Sequence, residues 1–228
     1  MRRFVLLPGM HGTAALLDDF VAAAPAGHQI EAIVLPTERL GYSALAARLA
    51  ASLRLTADTV LIAESFSGPL AMMLAARHPV AALILCNSFA VHPYPRSLAA
   101  LPLALFARFP PPAAIVRHYI VGPRASDILV SQIRAAVNSV PADVLAFRAR
   151  SALGVDVTTQ LAQCNLPILY VRGTEDNLVR EKSVQQIIDS ATVPVSVASL
   201  AGPHLLLKTA PRESWRAINE FIARSLAA

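Results

Sequence analysis

The chain has 228 residues, of which 55% are hydrophobic and 15% charged, and its net charge is +5. This length fits one ordinary α/β domain with its own core, and the composition is too apolar for a disordered chain. Proline or charged residues interrupt the longest apolar stretches, so none offers the ~20 consecutive apolar residues of a membrane-spanning helix.

The chain begins with a short apolar run, Phe4 to Leu7, which ends at Pro8. The basic residues before this run imitate the start of a signal peptide. Four apolar residues are too few for the hydrophobic region of such a peptide. We therefore interpret the run as a buried strand and predict a cytoplasmic protein.

Apolar strand patterns and amphipathic helix patterns alternate along most of the chain. Strands are predicted at 4–7, 29–35, 59–63, 81–86, 168–171 and 193–198. Helices are predicted between the strands at 13–23, 42–53, 66–77 and 181–190, and after the last strand at 211–226. Six short apolar strands joined by helices predict an α/β fold, with a mainly parallel sheet covered by helices on both faces.

The segment between the fourth and fifth strands breaks this alternation. It contains proline-punctuated helical patterns near 97–109, 112–120, 125–138 and 141–152. We therefore assign residues 1–88 and 163–228 to the core and residues 89–162 to a helical cap. Right-handed crossovers bring the carboxyl ends of parallel strands to one edge, where ligands bind, and the cap is predicted to cover that edge.

The segment 63–68, AESFSG, holds the sharpest local signal, because a predicted strand runs directly into Ser65 and a helix follows at once. A serine at such a turn projects its hydroxyl beyond the sheet, and small residues are needed two positions to either side. Ala63 and Ser67 fill these positions, where glycine is usual. Alone, the pattern also fits a serine that caps a helix. Ser67 is the rival nucleophile, and we favour Ser65 because it follows the strand directly.

A serine nucleophile needs a base, and the base needs an orienting carboxylate. The fifth strand is followed by Glu175 and Asp176, and the sixth leads to His204 in a Gly-Pro loop. The parallel sheet would bring all of these to the same edge as Ser65. We predict His204 as the base, with either carboxylate of the acidic pair placed to orient it.

Stabilising an oxyanion requires two converging backbone N–H groups. The Phe66 N–H, at the start of the helix after Ser65, is one candidate. The loop after the first strand supplies the other, and Met10 N–H is the natural choice because Gly9 allows close approach. His11 and Glu64 are assigned to the substrate pocket, and Glu64 is interpreted as a structural residue rather than a catalyst.

Three parts of the chain resemble the serine hydrolases of the α/β-hydrolase superfamily, which include carboxylesterases, lipases and thioesterases. They are the loop Leu7–Thr13, the AESFSG turn, and the pair formed by GTED at 173–176 and GPH at 202–204. The resemblance covers nearly everything except the cap, and it places the start of this chain at the third strand of the family pattern. It implies a triad of Ser65, His204 and Asp176, with Asp176 favoured over Glu175 because it fits the family's Gly-X-X-Asp.

The resemblance also implies activity on esters or related acyl bonds. We predict hydrolysis of a carboxylic ester or thioester with a hydrophobic part through an acyl-enzyme, with no metal or organic cofactor. The same triad also serves acyl transfer, C–C bond hydrolysis and perhydrolysis. A non-catalytic receptor for a small ligand, which keeps the fold and the pocket, is the alternative from another class.

The predicted cap carries seven arginines and three aspartates, and the resulting net charge of +4 is close to the +5 of the whole chain. We favour the interpretation that these arginines lie on the solvated faces of amphipathic helices. The alternative is an anionic partner, such as CoA or an acyl carrier protein. No basic-aromatic motif accompanies the charge, so nucleic-acid binding is not predicted.

Overall fold

The computed structural model describes residues 2–101 and 103–226, and in this part of the chain six strands form a parallel sheet. The strands are β1 (Arg3–Leu7), β2 (Gln29–Ala32), β3 (Thr59–Glu64), β4 (Ala82–Cys86), β5 (Ile168–Gly173) and β6 (Val195–Leu200). Their spatial order is β2-β1-β3-β4-β5-β6, and every neighbouring pair is parallel. The predicted fold class is confirmed.

Helices cover both faces of this sheet, as predicted. Those of the described residues are α1 (Asp18–Ala22), α2 (Tyr42–Ser52), α3 (Gly68–Ala75), α4 (Leu103–Phe106), α5 (Ala113–Val116), α6 (Asp127–Asn138), α7 (Ala142–Gly154), α8 (Thr158–Ala162), α9 (Glu181–Ser190), α10 (Leu206–Thr209) and α11 (Pro211–Ser225). On β3, Val60 and Ile62 pack towards α1 and α11, whereas Leu61 and Ala63 pack towards α2 and α3. This alternation follows from the two-residue period of a strand.

Several predicted helices are shorter in the structure, and two differ in a way that has a clear local reason. The helix predicted at 13–23 is reduced to α1, because residues 14–17 form bends and turns and the helix begins only at Asp18. The helix predicted at 97–109 is split into a 3₁₀ turn at Arg96–Ala100 and α4. Leu101 is extended, with ψ 150°, as expected for a residue that precedes a proline. Pro102 itself lies outside the described residues.

The segment 89–162 lies between β4 and β5 and contains α4 to α8. Its end, including Ala152, Val155 and Leu161, packs into the same apolar cluster as α3 and α9. Where the core ends and a cap begins therefore stays a prediction. Within the described residues, we find no helix with the length and apolar character needed to cross a membrane.

Candidate active site

Ser65 directly follows β3, at the carboxyl edge of the sheet, in a strained backbone conformation. Its φ is 51°, in the left-handed region that non-glycine residues avoid. A short 3₁₀ turn, Ser65–Ser67, then leads into α3. Such strain costs about 1–3 kcal/mol and persists only where surrounding contacts impose it.

The contacts that hold this turn come from residues just after β1 and β4. Ser88 Oγ donates a hydrogen bond of 2.6 Å to the Ser65 carbonyl oxygen. A Cβ atom on Gly68 would lie 1.8 Å from Ser88 Oγ, so glycine at 68 makes room for this bond. The buried Ser67 hydroxyl donates to the Pro8 carbonyl oxygen. That bond accounts for a serine where the family pattern has glycine.

The structure brings Ser65, His204 and Asp176 together. His204 Nε2 lies 2.8 Å from Ser65 Oγ, and His204 Nδ1 lies 2.8 Å from Asp176 Oδ2. The other oxygen of Asp176 accepts from the Leu178 and Val179 N–H groups at 2.7 and 2.9 Å. The Asp176 side chain is 2% exposed. The rival carboxylate, Glu175, is exposed.

Asn87 fixes the loop that carries Pro203 and His204, which we call the histidine loop. No sequence pattern had identified this residue. It follows β4 with φ 44°, and its amide donates to the carbonyl oxygens of Pro203 and His204 at 3.0 and 2.8 Å. Its side-chain oxygen accepts from the Gly173 N–H at 2.7 Å. The sequence signal that could have pointed to Asn87 was the residue type itself. Asparagine tolerates the left-handed conformation, and this asparagine comes just after a strand at the ligand edge.

The two predicted oxyanion amides belong to peptide groups that are held through their carbonyl oxygens. The Gly12 N–H donates to the Gly9 oxygen at 2.9 Å, and Ser88 Oγ holds the Ser65 oxygen. In a trans peptide the N–H points opposite to the carbonyl. The directions of the Met10 N–H and the Phe66 N–H are therefore each fixed.

A cavity of about 600 Å³ opens beside Ser65 and His204. Its wall is formed largely by the segment 89–162, with Phe109, Ile115, Val116, Ile133 and Leu145 among the lining residues. In the described part of the chain, the polar side chains that line it are those of His11, Ser65 and His204.

His11 lines this cavity as a neutral hydrogen-bond donor. Burial, and secondly the charge of Arg148, lower the pKa of His11 to about 4. Its Nδ1 accepts from the Thr13 N–H at 3.2 Å, so the proton of the neutral ring is on Nε2. Nε2 is buried and has no protein partner among the described residues.

Glu64 lies beneath the site rather than in the cavity wall. Strand alternation turns its side chain to the face that Val60 and Ile62 share, and Glu64 is not among the described residues lining the cavity. This differs from its assignment to the substrate pocket. It is 1% exposed, and neither carboxyl oxygen has a partner in the described residues. Burial raises its pKa to about 7, partly offset by His204.

The raised pKa of Glu64 predicts a pH-dependent stability. The folded protein binds this proton more tightly than the unfolded chain, so the stabilisation is full below pH 4.5 and is lost as the pH rises through 7. At about 1.4 kcal/mol per pKa unit, Glu64→Gln should gain roughly 2–3 kcal/mol relative to wild type between pH 5 and pH 8. Urea unfolding at both values measures this gain. Glu220→Gln, at an exposed position, is the control, and equal shifts in both variants would contradict the prediction.

The arginines of the segment 89–162 do not all lie on solvated faces. Arg148 is 1% exposed, and its guanidinium group contacts the loop after β1. Arg117 is paired with Asp127. The interpretation of these arginines as solvated is therefore wrong for Arg148, because α7 turns it inwards. The exposed ones are Arg96, Arg108, Arg124 and Arg150.

Comparison with known proteins identifies the fold. Neither a protein-family model nor a curated protein sequence matches the chain. Solved structures do match: an esterase from Exiguobacterium antarcticum has a TM-score of 0.85 at 12% identity, covering 97% of this chain and 92% of that one. A thermophilic esterase from Thermogutta terrifontis has a TM-score of 0.81 at 19% identity, covering 99% and 90%.

A third structure carries the name of the fold. It is an alpha/beta hydrolase enzyme from a Medee basin deep-sea metagenome, with a TM-score of 0.77 at 16% identity, covering 97% of this chain and 89% of that one. Over nearly its full length, the chain therefore has the α/β-hydrolase fold. Fold alone does not determine an activity.

Proposed function

We propose that this protein is a serine hydrolase that cleaves carboxylic esters or thioesters with a hydrophobic part. The observation that carries the proposal is the 2.8 Å separation of Ser65 Oγ from His204 Nε2, with Asp176 against the other ring nitrogen. A nucleophile within hydrogen-bond reach of a base, which a third group orients, is the arrangement that activates a hydroxyl. The strained conformation of Ser65 and the apolar cavity beside it support the same function.

Acylation begins when Ser65 Oγ attacks the carbonyl carbon and His204 Nε2 takes the hydroxyl proton. The carbonyl oxygen becomes an oxyanion, which the Met10 and Phe66 N–H groups stabilise, each by about 2.7–4 kcal/mol. His204 then protonates the leaving alcohol or thiol as its bond to the acyl carbon breaks. Asp176 holds the ring so that Nδ1 donates and Nε2 accepts, and it stabilises the imidazolium.

Deacylation repeats these steps with water. His204 takes a proton from water as its oxygen attacks the acyl carbon, and the same two amides stabilise the second oxyanion. The proton returns to Ser65 Oγ as the carboxylic acid leaves. Acyl transfer, C–C bond hydrolysis and perhydrolysis would use the same side chains with another acceptor or substrate. Hydrolysis is the proposal, because apart from the triad the described residues supply only the His11 side chain as a polar group in the cavity wall, and water needs no dedicated binding site.

The cavity supports an uncharged, hydrophobic acyl or alcohol group as the substrate's main part. Its volume of about 600 Å³ lies within the range of small-molecule sites, and its wall carries no charged side chain in the described residues. A carboxylate there would be buried without a partner, which is costly. An anionic carrier could lie outside the cavity only, near the exposed Arg108 or Arg124.

Two assays test this function. A fluorophosphonate probe should label wild type, and nitrophenyl esters should show a kcat/KM that rises about fourfold per added methylene until the cavity is full. The nitrophenyl ester of succinate, with a charged end, should be a poor substrate. Labelling without turnover of any ester would favour the receptor, and no labelling would reject Ser65 as a nucleophile. Turnover of an acyl-CoA with the preferred chain tests the hypothesis of an anionic carrier. That hypothesis requires the turnover to fall as the salt concentration rises.

A further inference from the structure

Arg148 connects α7 to two loops at the edge of the candidate active site. Its Nη1 donates to the Met10 carbonyl oxygen and its Nη2 to the Pro36 carbonyl oxygen, both at 2.8 Å. Met10 belongs to the loop after β1, residues 8–12, which we call the oxyanion loop. Pro36 follows β2. One side chain therefore ties a helix of the segment 89–162 to two connections of the sheet.

Burying the Arg148 guanidinium group costs desolvation free energy, so this contact is an inefficient source of stability. Arg148 is 1% exposed, and no carboxylate in the described residues forms an ion pair with it. Its Nε has no partner there either. Replacing a buried, compensated charge by well-packed apolar residues of similar volume is often neutral or stabilising. Stability alone therefore does not account for an arginine at this position.

The oxyanion loop is shaped around the guanidinium group. Gly12 has φ 72°, and a Cβ atom there would lie 2.5 Å from Arg148 Nη1 and 3.0 Å from Nη2. The same glycine holds the Gly9 oxygen through its N–H, and its own oxygen accepts from the Leu35 N–H at 2.8 Å. Glycine at 12 thus serves both the turn and the space that Arg148 fills.

We propose that Arg148 is a positioning residue for the oxyanion hole: it holds the Met10 carbonyl oxygen and packs against Gly12, whose N–H holds the Gly9 oxygen and thereby directs the Met10 N–H. This inference rests on the proposed hydrolase function. Leu145 and Ala149, on the same helix, line the cavity. α7 therefore contacts both the cavity and the oxyanion loop. Because the oxyanion exists only in the reaction, loss of Arg148 should lower kcat and leave ester binding largely intact.

The test compares Arg148→Met with Arg150→Met, an exposed arginine two residues further along α7. With a short nitrophenyl ester, Arg148→Met should lower kcat by about 10²-fold, the usual effect of losing one oxyanion donor, and change KM by less than about twofold. Arg150→Met should match wild type. In Arg148→Ala, added methylguanidinium should restore part of kcat. A wild-type kcat in Arg148→Met, or a change confined to KM, would overturn the proposal.

A second measurement does not depend on turnover. Hydrogen exchange of the peptide that contains residues 8–13 should be faster in Arg148→Met than in wild type and in Arg150→Met. Unchanged exchange overturns the inference even if the protein hydrolyses no ester, an outcome that would reject the proposed function separately. If Arg148→Met does not fold, Arg148→Lys keeps the charge but cannot reach both carbonyls. It should then show a reduced kcat, and a wild-type kcat in that variant overturns the proposal.

Discussion

Ser65→Ala is expected to lower kcat for any ester substrate by about 10⁶-fold and to abolish fluorophosphonate labelling. The hydroxyl that His204 Nε2 meets at 2.8 Å is the only group this substitution removes. Alanine has the same difficulty as serine with a φ of 51°, so the free energy of unfolding should change little. The measurements are steady-state kinetics, labelling and urea unfolding on the same preparations.

Ser67→Ala is the matched comparison, because Ser67 lies two residues away and is also buried. Its hydroxyl donates to the Pro8 carbonyl oxygen and does not contact His204. The variant should keep its labelling and lose less than about tenfold in kcat, through a looser oxyanion loop. If labelling instead disappears in Ser67→Ala and persists in Ser65→Ala, the assignment of the nucleophile is wrong.

Asp176→Asn is expected to lower kcat by about 10⁴-fold without unfolding the protein. The Leu178 and Val179 N–H groups both donate to one oxygen of Asp176, and an asparagine oxygen would keep that place. The asparagine NH₂ would then face His204 Nδ1, which must accept, so that the proton moves to Nε2. A histidine protonated at Nε2 cannot take the proton of Ser65. The expected result is a low kcat with KM close to the wild-type value.

Glu175→Gln is the control for Asp176→Asn, since the two acids are adjacent and Glu175 is exposed. Its kcat should lie within about twofold of wild type, as for most surface substitutions. A large loss in Glu175→Gln, together with near-normal kinetics in Asp176→Asn, would exchange their roles. Equal free energies of unfolding for the two variants would exclude a general folding defect as the cause of a low kcat.

Local sequence patterns predicted the sheet well, because a strand that is covered on both faces is a short apolar run wherever it occurs. The runs at β1, β3, β4 and β5 are of this kind, and each was predicted at nearly its observed position. The helix predicted from Thr13 was wrong in extent, since α1 begins only at Asp18. The short helices α8 and α10 were missed, since one turn carries too little periodicity to detect.

The sequence alone also predicted which residues meet at the candidate site. Parallel strands end at one edge, so the residues after β3, β5 and β6 must be neighbours, whatever their separation along the chain. That rule predicts that Ser65, Asp176 and His204 lie close together without any measured distance. It did not separate Asp176 from Glu175 on physical grounds. The choice depends on which carboxylate the loop turns towards the ring.

Only the tertiary structure decided the roles of contacts between distant segments. The sequence pattern of an amphipathic helix predicts that an arginine on it is solvated. No residue near Arg148 in the sequence indicates that the carbonyl groups of Met10 and Pro36 lie beside it. The bonds of Asn87 to the histidine loop and the burial of Glu64 are of the same kind. Strands and turns are specified by neighbours in the chain, whereas a buried polar group takes its partners from wherever the packed chain supplies them. The sequence therefore determined the fold and the residues that meet at its edge, and tertiary packing determined what holds them there.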